Sequence, residues 1–125
     1  MKELTSHQVN GFGKQLNDHL QIQALDEPGP GGANHHYRIV GYEQVPDSCC
    51  EIHFQNGAIG EIGVNGISNE ALLAIVEDRL VAFQAGTFSC RENAIALTHI
   101  QDAINWLHRR TRERMDRGVE GTTQK

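Results

Sequence analysis

The stretch Ser89–Arg117, SCRENAIALTHIQDAINWLHRRTRERMDR, decides how the rest of the chain is read. No Pro or Gly interrupts it before Gly118, a residue suited to the left-handed backbone that ends a helix. Ser89 and Glu92 stand at the capping-box spacing, in which the hydroxyl and the carboxylate satisfy free backbone N–H groups reciprocally. Leu97, Ile100, Ile104 and Leu107 alternate three-four spacing and share one seam. The reading predicts one helix, roughly 40 Å long at about 1.5 Å rise per residue. A small core cannot cover that length from one side, so the helix needs a partner helix and a partner subunit.

The seam ends in polar groups. Four residues back lies Asn93; forward lie Thr111 and Arg114. Arg109, Arg110, Arg112, Arg114 and Arg117 crowd the last turns, and Arg110, Arg114 and Arg117 share a face. One or two arginines there would complement the helix dipole. Five of the eleven basic side chains, in a chain of net charge −5, favour an anion site over a merely solvated helix end.

Outside this helix, 125 residues make one domain with a modest core. The acidic balance argues against nucleic acid and anionic membranes, and the local positive charge suits a small anion better than a duplex. Three cysteines, two of them adjacent, form no disulfide framework. No signal peptide and no long apolar run are evident, so the expected location is a reducing cytosol.

Working back toward the N-terminus, Ser68 and Asn69 cap a helix to about Gln84, with Leu72, Leu73, Val76, Leu80 and Phe83 as its stripe and Gly86 beyond its end. So short a break before Ser89 makes an αα-hairpin. Ahead of it, His19–Leu25, His35–Tyr42, Glu51–Gln55 and Ala58–Val64 read as strands. Asp26–Asn34, with two prolines and three glycines, is a long hairpin connection. Pro46–Ser48 and Asn56–Gly57 supply turns, the latter with a type I′ signal, and Asn65–Gly66 closes the sheet. Residues 1–18 read as a polar arm with a turn around Phe12. The expected architecture is α+β: a small antiparallel sheet of about four strands (meander 19–66), then a helical hairpin (68–117), within one domain spanning 19–125 that forms a homo-oligomer.

Few residues announce chemistry on their own. Seven histidines occur without HExxH, CxxC or HxH spacing, and adjacent His35 and His36 point to opposite faces of a strand, so no metal site is expected. Cys90 sits near a helix start, where a thiolate is favoured, but no base is placed beside it by sequence. The carboxylates form no paired motif, so no catalytic residues and no cofactor are expected. By position Phe83 is a core residue at the end of its stripe, and Trp106 lies off the seam, against the sheet or another subunit. Arg91 and Asn93 lie where amides at a helix start favour an anion.

IHFQNG (52–57), GVNGISNEALLAIVEDRLVAFQAG (63–86), FSCRENAIAL (88–97) and RRTRERMDRGVEGT (109–122) together resemble the first family of phage Thoeris anti-defence proteins. That family shares a helical hairpin with a phage anti-CBASS family. The likeness covers roughly residues 26–125. It implies a sponge rather than an enzyme: a protein of the infected host's cytoplasm that binds glycocyclic ADP-ribose signals made by TIR proteins and holds them from their effector. It also implies cyclic di- or trinucleotides at a second site and assembly to a dimer or hexamer. Neither membrane nor nucleic acid is an implied partner. Residue by residue, it implies that Arg110 and Arg114 grip a diphosphate, Phe83 stacks on adenine and Asn93 hydrogen-bonds base or sugar, while Arg91 joins them or fixes the helix start.

Asn93 and Arg114 would lie about 30 Å apart on one helix. One ligand reaches both only if two antiparallel copies, related by a twofold axis, bring the start of one helix beside the end of the other. A cyclic-nucleotide phosphodiesterase and an oligomeric adaptor for nucleic acid or protein are the alternatives; the first needs a metal or base near the arginines, the second salt-sensitive binding without a small ligand.

Overall fold

The computed structural model describes residues 2–9, 16–41 and 49–125. The turns expected around Phe12 and at Pro46–Ser48 lie outside them. The fold is α+β, and the chain divides into two units, Met1–Gly57 with Val64–Ile67, and Ala58–Gly63 with Ser68–Lys125.

The first unit is a four-stranded antiparallel sheet in the order β1 (Lys2–Leu4), β2 (Leu20–Ala24), β3 (His36–Gly41), β4 (Cys49–His53). Its register sorts the side chains. Leu4, Ile22 and Ile39 oppose one another on one face, joined by the Ala24–Tyr37–Ile52 row. Glu3, Gln23, Arg38 and Glu51 line up on the other, beside the His36–His53 pair. Period-two alternation in HLQIQAL produces this split.

The loop between β2 and β3 is stapled at its base by Asp26 and Asn34. The buried Asn34 amide donates to the Asp26 carbonyl at 2.6 Å, while the His35 backbone N–H donates to the Asp26 carboxylate at 2.9 Å. Gly31 and Gly32, at φ 76° and 80°, complete a 3₁₀ turn there.

The fourth strand is not where the sequence suggested. Residues 58–64, expected to return as a strand, instead contain the one-turn helix α1 (Ile59–Ile62), and the sheet is completed by β1 at the N-terminus. The reason lies at Asn65. Its side chain accepts from the Asn56 N–H at 2.8 Å and donates to the Asn56 carbonyl at 2.8 Å, using the groups a hairpin ladder needs. Gly57 at φ 96° starts the excursion, and Ile59 and Ile62 have helical as well as apolar spacing. The chain rejoins the first unit through a parallel bridge between Phe54 and Ile67. Gly66 is required there, since a Cβ would lie 2.4 Å from the Phe54 backbone.

The second unit holds the helical hairpin, α2 (Asn69–Ala85) and α3 (Arg91–Asp116), packed on each other. Ser68 caps α2 as expected, its Oγ accepting from the Ala71 N–H at 3.1 Å. The cap of α3 is Cys90, not Ser89. The Gln84 side chain bonds both the N–H and the carbonyl of Cys90 at 3.1 Å, which pins that residue outside the helix, and Cys90 Sγ accepts from the Asn93 N–H at 3.4 Å. Gly118, at φ 73°, ends α3.

Asn93, Leu97, Ile100, Ile104, Leu107 and Thr111 are half-buried and Arg114 is buried, so the seam is real. It is not fully covered. Among the described residues Ala24 and Val119 are the only buried apolar side chains, and Trp106 (62% exposed), Ile75 (59%) and Val81 (48%) face outward from the hairpin. No helix of the described residues is long and apolar enough to cross a membrane.

Candidate ligand-binding site

The loop end of the hairpin carries three of the five residues singled out by sequence. Phe83, half-buried in the last turn of α2, meets the Phe88 ring edge-on at 6.1 Å between centroids. The Arg79 guanidinium lies 5.3 Å from the Phe83 centroid, a cation–π contact across one helical turn. Arg91 is exposed at the first position of α3. Asn93 gives its backbone N–H to the Cys90 cap, and its side-chain amide makes no hydrogen bond among the described residues. An aromatic face and an unspent amide are therefore presented at the helix start, where backbone dipoles favour negative charge.

Arg110 and Arg114 lie at the other end of α3, about 30 Å away in the same chain. The five arginines there divide by what they touch. Arg109 stacks over Trp106 at 5.2 Å, and Arg117 pairs with Glu113 one turn back. Arg114 is 6% exposed and turned onto the chain that follows α3. Its guanidinium donates to the carbonyls of Gln124 (2.5 Å), Val119 (3.0 Å) and Thr122 (3.2 Å), with the Glu120 carboxylate 3.7 Å from Nε. Arg110 and Arg112 are exposed and have no partner among the described residues. The expected shared face of Arg110, Arg114 and Arg117 thus offers one uncommitted guanidinium, at Arg110. The sequence places Arg112 in the arginine cluster but off the shared face, and gives Arg79 no role; the four-residue spacing of Arg79 and Phe83 is the available signal for the latter.

The same tail is tied to the start of the second unit. The Gly60 N–H donates to the Gly121 carbonyl at 2.8 Å, and a Cβ at Gly60 would come within 2.7 Å of that oxygen. Arg114 therefore organises a turn that holds α1 in place.

A separate cavity of about 330 Å³ opens on the first unit, lined by Asp26, His35, His36, His53, Phe54, Asn56 and Asn65. The His35 backbone N–H, with further hydrogen bonds from the His36 N–H and the Asn34 amide, holds the Asp26 carboxyl below the usual carboxylate range. Beside the cavity, the hydrogen bond from His36 and the nearby charges of His36, His53 and Arg38 hold the Glu51 carboxyl low as well. For Asp26 the sign of the linkage is plain. A carboxyl whose folded pKa is depressed contributes stability above its unfolded pKa of about 4, and that contribution is lost as pH falls through the folded value. Asp26→Asn is therefore expected to lower the thermal midpoint at pH 7, with the gap to the parent closing below about pH 4 in melts recorded across that range.

A small antiparallel sheet followed by a two-helix hairpin, with aromatic and amide groups at one end of the long helix and arginines at the other, defines an α+β hairpin-domain protein. Residues 47–112 match the Acb2/Tad1 hairpin domain, and the chain belongs to that family. It is also 51% identical over 74 residues to Thoeris anti-defense 1 of Bacillus phage SBSphiJ7. That alignment covers 59% of this chain and 52% of the relative, so the match spans about half the relative's length.

Proposed function

We propose that this protein is a phage anti-defence sponge, which binds a cyclic nucleotide-like immune signal and sequesters it without cleaving it. The ligand class is glycocyclic ADP-ribose, with cyclic di- or trinucleotides of CBASS at a second site. The observation that carries the reading is the state of Arg110: a solvent-facing guanidinium with no partner among the described residues, on the helix that presents Asn93 at its start, across the hairpin loop from Phe83 at the end of α2. The relative's name, Thoeris anti-defense 1, supports the anti-defence role.

The site is composed from two chains. The Arg110 of one copy meets the Phe83, Arg91 and Asn93 of its partner, in a homo-oligomer that is at least a dimer and assembles to a hexamer. Supporting this are α2 side chains apolar on more than one side, with Ile75 and Val81 outward, and Trp106 exposed on α3; a helix apolar all round is normally a buried one. Arg110 grips the diphosphate through paired N–H donors. Phe83 stacks on adenine and leaves the Arg79 guanidinium beside the phosphates. Asn93 offers donor and acceptor together to base or sugar. Arg114 joins the phosphate contact by exchanging the carbonyl of Gln124, the last of the three it holds. The complex works in the infected host's cytoplasm and needs no cofactor.

Calorimetry with purified glycocyclic ADP-ribose isomers and cyclic trinucleotides, followed by heating the complex and analysing what is released, tests the proposal. Tight binding and recovery of unchanged signal are expected. Recovery of a hydrolysed product with chelator-sensitive turnover would make the protein a phosphodiesterase. Salt-sensitive nucleic-acid binding with no heat from any small ligand would make it an adaptor.

A further inference from the structure

The polar face of the sheet gathers three side chains of metal-ligating type from two neighbouring strands. His36 on β3 and His53 on β4 are directly opposed, and Glu51 stands two residues before His53 on the same face. Their ligand atoms lie within 4.8 Å of one another. Glu51 Oε2 is 3.0 Å from His36 Nε2 and 3.6 Å from His53 Nε2. We propose that His36, Glu51 and His53 form a binding site for a borderline divalent transition-metal cation, of which Zn²⁺ is the representative.

The spacing suits such an ion. Ligands at about 2.0–2.2 Å from a tetrahedral Zn²⁺ lie roughly 3.3 Å from each other. The two observed separations, 3.0 and 3.6 Å, fall on either side of that value. The imidazoles are stacked, with centroids 4.1 Å apart and planes 18° from parallel, so their lone pairs run side by side. A single ion shared by both rings requires each to rotate about its Cβ–Cγ bond until the two nitrogens face one point beside the carboxylate. Two imidazoles and one carboxylate select Zn²⁺, Co²⁺, Ni²⁺ or Cu²⁺ over the hard cations Mg²⁺ and Ca²⁺.

The surroundings hold the ligands in place. The Asp26 carboxylate accepts from the His36 backbone N–H at 3.3 Å, tying the start of β3 to the stapled loop. Arg38, opposite Glu51 in the register, is itself bonded to Gln23 at 3.1 Å. Side-chain exposures of 29% at His36, 48% at Glu51 and 58% at His53 leave a fourth position open to water or to a small anion in the adjoining cavity. Three protein ligands with one open position are the pattern of an accessible site rather than a closed structural one.

The test uses the untagged full chain with its thiols alkylated, so that no cysteine supplies a signal. Co²⁺ is titrated and followed by its visible d–d absorption, and Zn²⁺ by calorimetry. One equivalent per chain is expected. His53→Ala and Glu51→Gln should each weaken binding by at least about tenfold, and His36→Ala with His53→Ala should abolish it. A His99→Ala, His108→Ala double variant should bind as the parent does. Glu51→Gln preserves the size of the side chain, so the proposal stays testable even if a histidine variant misfolds. No uptake of either ion, or an affinity unchanged in both His53→Ala and Glu51→Gln, overturns it.

Discussion

Replacing Arg114 with alanine is expected to cost about 2–3 kcal/mol of stability, because three carbonyls lose a charged donor from a buried position. The loss should be local first. Arg114 holds Val119, Thr122 and Gln124 while Gly121 receives the Gly60 N–H, so the tail and α1 stand or fall together. Hydrogen exchange should show the amides of Val119, Thr122 and Gly60 losing protection while those in the middle of α3 keep it. Arg114→Lys should recover little of the loss, since an ammonium lacks the planar fork that reaches several carbonyls at once. A variant within about 0.5 kcal/mol of the parent would show that the clamp contributes no more than an ordinary surface group.

Arg110→Ala should do the opposite. The side chain is exposed and without a partner among the described residues, so stability should change by less than about 0.5 kcal/mol. Affinity for glycocyclic ADP-ribose should fall by at least ~2 kcal/mol, roughly thirtyfold, if the guanidinium is a desolvated phosphate partner. The change should appear mainly as faster release. Calorimetry and dissociation kinetics on the folded variant check both expectations. Two arginines four residues apart are thus distinguished: Arg114 holds the chain and spares one contact for the phosphate, whereas Arg110 serves the ligand alone.

How much of this could be read from the residues depends on the range over which each signal acts. The seam of α3 is legible because its spacing is local and repeated, and Ser68 because capping needs only three residues. The strands around Ile22, Ile39 and Ile52 are legible from alternation. β1 is not, since Lys-Glu-Leu is too short and polar to carry a pattern, and it forms only because β2 offers an edge. Residues 59–62 mislead because Ile59 and Ile62 suit a helical turn as well as a strand, and the Asn65 bridge that decides between them spans nine residues. Cys90 displaces Ser89 as the cap because of Gln84, on the preceding helix.

The candidate site follows the same rule. Phe83, Arg91, Asn93 and Arg110 are found at the two ends of readable helices. The engagement of Arg114 depends on the reversal at Gly118, which brings later carbonyls back to it. The grouping of His36 with Glu51 and His53 depends on sheet register; only the two-residue spacing of Glu51 and His53 is local. Arg79 was overlooked because its partner is an aromatic face.

The central claim is that each site is built from two chains, and mixing subunits tests it most directly. Phe83→Ala and Arg110→Ala chains, each binding weakly alone, are combined, exchanged through mild denaturant and titrated with glycocyclic ADP-ribose. A shared site predicts that parental affinity returns in about one quarter of all sites, because each mixed pair holds one doubly altered and one intact site. If no tight sites return although mixed oligomers form, Phe83 and Arg110 serve one ligand within a single chain or not at all, and the account is contradicted.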